Sequence, residues 1–358
     1  MIDTLTLLRE VSELNGVSGF EAPVAKYVQQ TLSDVAEISR DNLGSVICRL
    51  QGAYDSPRIM IPGHMDEIGF MVKLVTKEGF IKFAPLGGWW SQVLLAQRVR
   101  ILTNKGPVIG IIGSKPPHLM RESQRGDVMQ MYDMFIDVGA TDREQAVDKF
   151  GILPGDPIIP DTPFMQMADP DMLLGKAWDD RAGVAMFIQT LQRLKGTGHP
   201  NTVYGAGTVQ EEVGLRGAQT AVEMVQPDVA LIAETAISGD MPGIEEHESP
   251  VKMAQGPVIY VLDGSMIPNL RLRDLAIQTC RDLQIPFQTT VLERGGTDGG
   301  RIHVYARGVP SLVIGVPTRH IHSHAATMHR RDYEQCVDLM VALCQKLDAP
   351  TVASLTAE

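Results

Sequence analysis

The sequence predicts an α/β protein, a mixed central sheet flanked by helices with a small β-rich domain inserted into it. Three observations carry that expectation. Apolar strand-length runs alternate with helix-period segments at both ends of the chain, while the middle switches to short alternating strands with Gly and Pro turns. Residues of metal-binding type gather only in the α/β parts. At 358 residues the chain exceeds one comfortable core. Residues 1–68 and 164–358 therefore read as one discontinuous domain, interrupted by an insert at 69–163.

In order, helices are expected over residues 2–14 and 21–32, separated by a Gly16/Gly19 break, then strands over 45–48 and 58–62. The insert reads as strands over 70–72, 80–83, 99–102 and 108–112. After Pro163 come helix 181–194, strand 204–209, helix 215–225, strands 229–233 and 258–262 and helix 270–283. Strand 289–292, helix 300–306, strand 311–314 and helix 331–347 close the chain. No internal repeat or low-complexity tract is evident.

Charge excludes one large class of partner. There are 32 basic and 43 acidic residues, net −11, and no Lys or Arg run long enough to track a phosphate backbone. Nucleic acid is not expected. No apolar stretch reaches the roughly 18 residues a membrane span needs, and Met1-Ile2-Asp3 lacks the basic-then-apolar start of a signal peptide. A cytoplasmic location without membrane contact is the expectation. Cys48, Cys280, Cys336 and Cys344 are scattered and read as reduced core residues, giving neither a disulfide framework nor a thiolate site.

The chemistry gathers at the ends of expected strands, where α/β proteins build sites. The apolar run at 58–62 delivers His64 and Asp66; later come Asp179-Asp180, Glu211-Glu212, Glu234 and His322. Singly, each has an ordinary explanation: helix capping for Asp179-Asp180, a solvated loop pair for Glu211-Glu212. Their concentration on one sheet points instead to two divalent cations about 3.5–4 Å apart, which need a bridging carboxylate and terminal His or carboxylate ligands. With Asp179 bridging, His64 and Glu234 complete one ion, and Glu212 and His322 the other. Three carboxylates and one hydroxide then balance two dications.

Adjacent residues at a strand end point different ways, so one of Glu211 and Glu212 can bind metal while the other acts as general base. Asp66 is placed to accept the remaining ring N–H of His64 and fix its tautomer. Spacing does not choose among His320, His322 and His324. The other histidines, His118, His199, His247, His303 and His329, lack a paired carboxylate at ligand spacing. The glycine-rich stretch from Gly295 to Gly300 lacks the Lys of a phosphate-binding loop and reads as a tight loop bordering the site. There is no H-E-x-x-H, G-x-S-x-G or G-x-G-x-x-G motif.

The ordered set Gly63-His64-Met65-Asp66-Glu67, Trp178-Asp179-Asp180-Arg181, Gln210-Glu211-Glu212-Val213-Gly214, Gly296-Thr297-Asp298 and Ile321-His322-Ser323-His324 resembles a known family. It is similar to the tetrahedral dinuclear metallo-aminopeptidases of peptidase family forty-two, which include glutamyl-aminopeptidase-like and FrvX-like proteins. The similarity covers nearly the whole chain, including Gly87-Gly88-Trp89-Trp90 in the insert. It implies removal of N-terminal residues from short peptides, with Glu211 as general base on a metal-bridging water. The implied metals are zinc or cobalt, with manganese a third option. His64, Asp179, Glu212 and His322 fall on ligand positions, which selects His322 within its cluster.

Glu234 stands where the family usually has Asp, one methylene longer but still able to ligate. The resemblance also implies a cis Asp179–Asp180 bond. The insert, carrying no proposed ligand and not needed for the chemistry, presents residues such as Trp89, Trp90 and Met129–Met134 and becomes a dimerisation domain in a homo-oligomer, dimers closing into a hollow dodecamer. Two rival readings fit the sequence less well. An endoglucanase-type glycoside hydrolase needs no histidine ligands and more stacking aromatics than the 5% present. A catalytically silent shell-forming homologue would have lost a ligand, and none is replaced by a non-ligating residue.

Overall fold

The computed structural model describes residues 2–122 and 126–356; Met1 of the start discussed above and residues 123–125 of the insert lie outside them. The chain opens with α1 (Thr4–Glu13), capped by the Asp3 carboxylate accepting from Thr6 N, and α2 (Ala22–Leu32), which carries Pro in its first turn. Then come β1 (Glu37–Arg40), β2 (Val46–Leu50) and β3 (Arg58–His64).

The insert is a closed barrel. Its strands are β4 (Gly69–Val75), β5 (Ile81–Leu86), β6 (Arg98–Thr103), β7 (Gly106–Gly113), β8 (Phe135–Asp137) and β9 (Pro157–Pro160), in spatial order β4-β5-β8-β7-β6-β9. Closure removes the sheet edges and encloses a separate core around Phe70, Ile101, Ile136 and Ile158. The sequence did not announce β9, because Pro157 and Pro160 bracket it and proline normally argues against a strand. Two residues read as outward-facing turn inward: Met134 is fully buried, and Trp89 stacks on Phe70.

Past the barrel come β10 (Met165–Gln166), β11 (Met172–Gly175), α3 (Trp178–Leu194), β12 (Thr202–Thr208), α4 (Arg216–Val225), β13 (Val229–Ile237) and β14 (Val258–Leu262). The rest is α5 (Leu270–Asp282), β15 (Gln288–Val291), α6 (Gly299–Ile302), β16 (Ser311–Arg319), β17 (Ala326–His329), α7 (Arg330–Lys346) and α8 (Ala349–Ser354). The main sheet runs β1-β2-β12-β3-β13-β16-β17-β11-β10, with β14 and β15 branching from β16. Its middle, β12-β3-β13-β16, is parallel, and its flanks are antiparallel.

Burial on both faces explains the continuous apolar runs of the middle strands. Within β3, Ile59 and Ile61 enter one core with α1, α2, α3, α5 and α7, while Met60 enters the other with α4 and α6. Helix α3 is buried nearly all round. The four cysteines are free and buried. Among the described residues no helix is long and apolar enough to cross a membrane.

Three local expectations need correction. Strand β13 does not stop at Ala233, because Glu234, Thr235 and Ala236 continue in register with Gly315, Val316 and Pro317 of β16. Glu234 thus sits inside a strand. The helix expected to reach Ala306 ends at Ile302, since only Gly299 and Ile302 supply a buried face. Strands β11 and β17, not anticipated, pair antiparallel and widen the sheet.

Candidate active site

Because β12, β3, β13 and β16 are parallel, their C-terminal ends share one edge, and the chain delivers its candidate residues there. His64 ends β3, Glu211 and Glu212 follow β12, Glu234 lies late in β13 and His322 follows β16. Asp179 arrives from the start of α3, which presses onto β3 at two glycines. A Cβ on Gly63 would lie 2.6 Å from the Gly183 carbonyl carbon. Asp180 locks this junction: its Oδ2 accepts from His64 N (3.1 Å) and its Oδ1 from Gly183 N (2.8 Å). The Asp179–Asp180 bond is cis, as the resemblance implied.

Asp179 is the centre of the cluster. Its Oδ1 lies 3.0 Å from His64 Nε2 and its Oδ2 lies 3.3 Å from His322 Nε2. Glu212 Oε1 lies 3.4 Å from His322 Nε2 and is buried without a hydrogen bond among the described residues. Glu211 Oε2 stands 3.9 Å from His64 Nε2. Both histidines aim Nε2 at this centre because Nδ1 is occupied by a carbonyl oxygen: Asp66 O at 3.0 Å from His64 and Gly88 O at 2.7 Å from His322. A carbonyl only accepts, so each Nδ1 carries a hydrogen and each Nε2 is left to face the carboxylates, donating to them while the ring is charged and free to ligate once that proton leaves.

Asp66 faces the His64 ring as the sequence reading expected, but with its main chain ahead of its carboxylate. Its backbone carbonyl is the nearer partner of His64 Nδ1, with the carboxylate Oδ1 at 3.4 Å. The carboxylate mainly organises the next loop, accepting from Glu211 N at 2.9 Å, Glu212 N at 3.2 Å and Ser18 Oγ at 2.7 Å. Glu21 adds to the buttress by accepting from Gln210 N. Ser18, Glu21, Asp180 and Gly88 were not picked out as supports. Ser18 stands inside the Gly16/Gly19 break, and its position between two glycines was the available signal. Arg181 secures the His64 loop from below by donating to Met65 O.

Crowding of acids leaves a strong electrostatic signature. Burial, then the charge of Asp179, pushes Glu212 and Glu234 up to about 8. Burial also holds Glu211 well above the usual carboxylate range, reinforced by Asp298 and Glu212 against the opposing pull of His64. For the histidines burial works the other way and loses. Asp179 and Glu212 hold His322 up at about 10, and Glu211, Asp179 and Asp66 hold His64 well above its ordinary value. Asp179 stays below the usual range despite burial because both histidines contact it. Desolvated carboxylates crowded around two histidines are groups from which a divalent cation could displace protons.

The donor chemistry fits. Two groups, His64/Asp179/Glu212 and His64/Asp180/Glu234, each bring ligand atoms within 4.8 Å of one another. Asp180 is the weaker member of the second, since backbone N–H groups already use both of its oxygens. A cavity of about 590 Å³ opens over the cluster, walled by Met241, Tyr260, Leu292, Arg294 and His320. Gly295, Gly296 and Thr297 also line it, so the glycine-rich loop does border the site. His324 sits apart, buried 5.1 Å from the Trp89 ring with both nitrogens unpartnered among the described residues.

A mixed sheet with an acid and histidine cluster at its parallel edge has the donor set that a metal-assisted hydrolase needs. Comparison with known proteins narrows this. The family model described as M42 glutamyl aminopeptidase matches residues 44–339, and the chain belongs to that family. It is a peptidase hydrolase.

The Escherichia coli (strain K12) protein FrvX is 39% identical over 352 residues, 97% of each chain. The glutamyl aminopeptidase of Lactococcus lactis is 31% identical (97% and 98% covered), and the lysyl aminopeptidase of Pyrococcus furiosus 32% (95% and 96%). Among solved structures, a TET aminopeptidase from a marine-sediment Thaumarchaeota archaeon superposes with TM-score 0.96 at 46% identity over 99% of both chains. The TET1 peptidase of Pyrococcus horikoshii, described as assembling into a tetrahedron or a large octahedral shell, gives TM-score 0.86 at 30% identity over 96% of this chain and 100% of its own.

Proposed function

We propose that the protein is a dinuclear metal-dependent aminopeptidase that removes N-terminal residues from short peptides. The observation that carries this is the split of Asp179, whose two oxygens face one histidine each. Asp179 would be shared between two cations, with His64 and Glu234 helping to hold one and Glu212 and His322 the other. Zinc or cobalt suits a donor set of imidazole and carboxylate, and manganese is the third option. When bound, such ions polarise the scissile carbonyl and make a water acidic enough to attack it.

The remaining work belongs to the chain. Glu211 Oε2, buried and inclined to hold a proton, takes one from the attacking water and returns it to the leaving amine. Asp66 holds the amides of Glu211 and Glu212 in one clamp, which sends the two side chains to different tasks. Exposed apolar side chains on the barrel, among them Trp90, Leu119, Val128 and Tyr132, support self-assembly through this domain, which we take to end in a dodecamer. The likeness to shell-forming TET1 points the same way.

Glu211→Gln tests the role of the base. It keeps the size of the side chain but cannot accept the proton, so both ions should stay bound while turnover of an aminoacyl amide falls by about 10²–10⁴-fold. Loss of both ions in this variant would put Glu211 among the ligands. A soluble cellulose assayed in parallel should show no hydrolysis.

A further inference from the structure

We propose that the Gly87–Trp89 loop of the barrel is a positioning element for His322, so that the inserted domain helps to hold one of the two metal positions. This rests on the metallopeptidase reading above. The starting point is the weak seat of His322: it follows β16 on a loop, has φ +57 and leaves 40% of its side chain exposed. Its Nδ1 is engaged by Gly88 O at 2.7 Å, across a sequence separation of 234 residues. That contact fixes both the tautomer and the ring direction, turning Nε2 toward Asp179 and Glu212.

The loop is built for this approach. A Cβ on Gly88 would stand 3.1 Å from His322 Nδ1. One on Gly87, which has φ +86, would stand 3.0 Å from Glu212 Oε2 and 2.5 Å from Ile68 Cγ2. Both glycines therefore lie against the two residues assigned to the same ion.

Trp89 holds the loop in place. Its Nε1 donates to Gly69 O at 3.0 Å, and its ring stacks on the fully buried Phe70 with centroids 4.7 Å apart. The same ring faces His324 at 5.1 Å, two residues beyond His322. Trp89 thus ties the barrel core to both the loop and the His322 segment. On this proposal the insert, which the sequence reading took as not needed for the chemistry, supports a metal-binding side chain.

The test is a cobalt titration of the metal-stripped full-length protein, followed by visible absorption, for wild type, Trp89→Ala, Trp89→Phe and Gly88→Ala. Removal of a support behind a metal-binding histidine typically weakens binding by about 10- to 100-fold. Trp89→Ala should show that loss for one cobalt equivalent and leave the other unchanged, with an altered absorption band. Trp89→Phe, which keeps the stacking, should recover most of the binding.

If Trp89→Ala fails to fold, Gly88→Ala decides the matter, because its added methyl touches the His322 ring. Wild-type binding of both equivalents in the foldable variants would overturn the proposal, as would equal weakening of both, which marks general loosening. A wild-type protein that takes up no cobalt would sink the metallopeptidase reading itself.

Discussion

Glu211 and Glu212 are neighbours in sequence but not in environment, and Asp66 is the reason: one carboxylate receives both of their amides. The two histidines proposed as ligands give a complementary test to the Glu211 variant. In His64→Ala or His322→Ala, metal content and activity should fall together, checked by elemental analysis beside a turnover assay. Full occupancy in either would contradict the assignment.

Protons and cations also compete for these groups. Glu212 and Glu234 are pushed up to about 8 and His322 to about 10, so the metal-free site holds protons at neutral pH that ions must displace. Apparent metal affinity should therefore rise from pH 6 to pH 9, measured against a competing chelator; a flat profile would show that these groups are not ligands. The clustered acids and histidines were legible in the sequence because carboxylates and imidazoles are rare at buried strand ends. Their supports were not, since Gly88 and Asp66 act through carbonyl oxygens that every residue possesses.

At the level of elements, the junction of α3 with β3 brings Asp179 to His64. Gly63→Ala would force a methyl to within 2.6 Å of the Gly183 backbone. Overpacking of this kind costs about 1–3 kcal/mol, so a lowered denaturant midpoint with an unchanged slope is expected, together with weaker metal binding. An unaffected midpoint would mean that the two backbones are not in contact. Long amphipathic helices and the doubly buried strands β3, β13 and β16 announced themselves through apolar periodicity. Strands β9, β11 and β17 did not. Prolines flank the first, and the other two are four-residue pieces whose strand character comes from pairing with each other.

Considered as a whole, the molecule sets a metal-type cluster between a catalytic sheet and a barrel whose outer surface remains apolar at Trp90, Leu119, Val128 and Tyr132. Self-assembly would cover that surface. Light scattering coupled to size exclusion should give a mass about twelve times the 39.1 kDa of the chain, and a monomer mass at micromolar concentration would remove the assembly proposal. The catalytic claim is tested most directly by stripping the protein of metal and titrating zinc or cobalt back while bound ions and release of N-terminal residues are measured together. A dinuclear aminopeptidase should be silent when stripped and recover as two ions bind per chain; undiminished turnover by the stripped protein would contradict it.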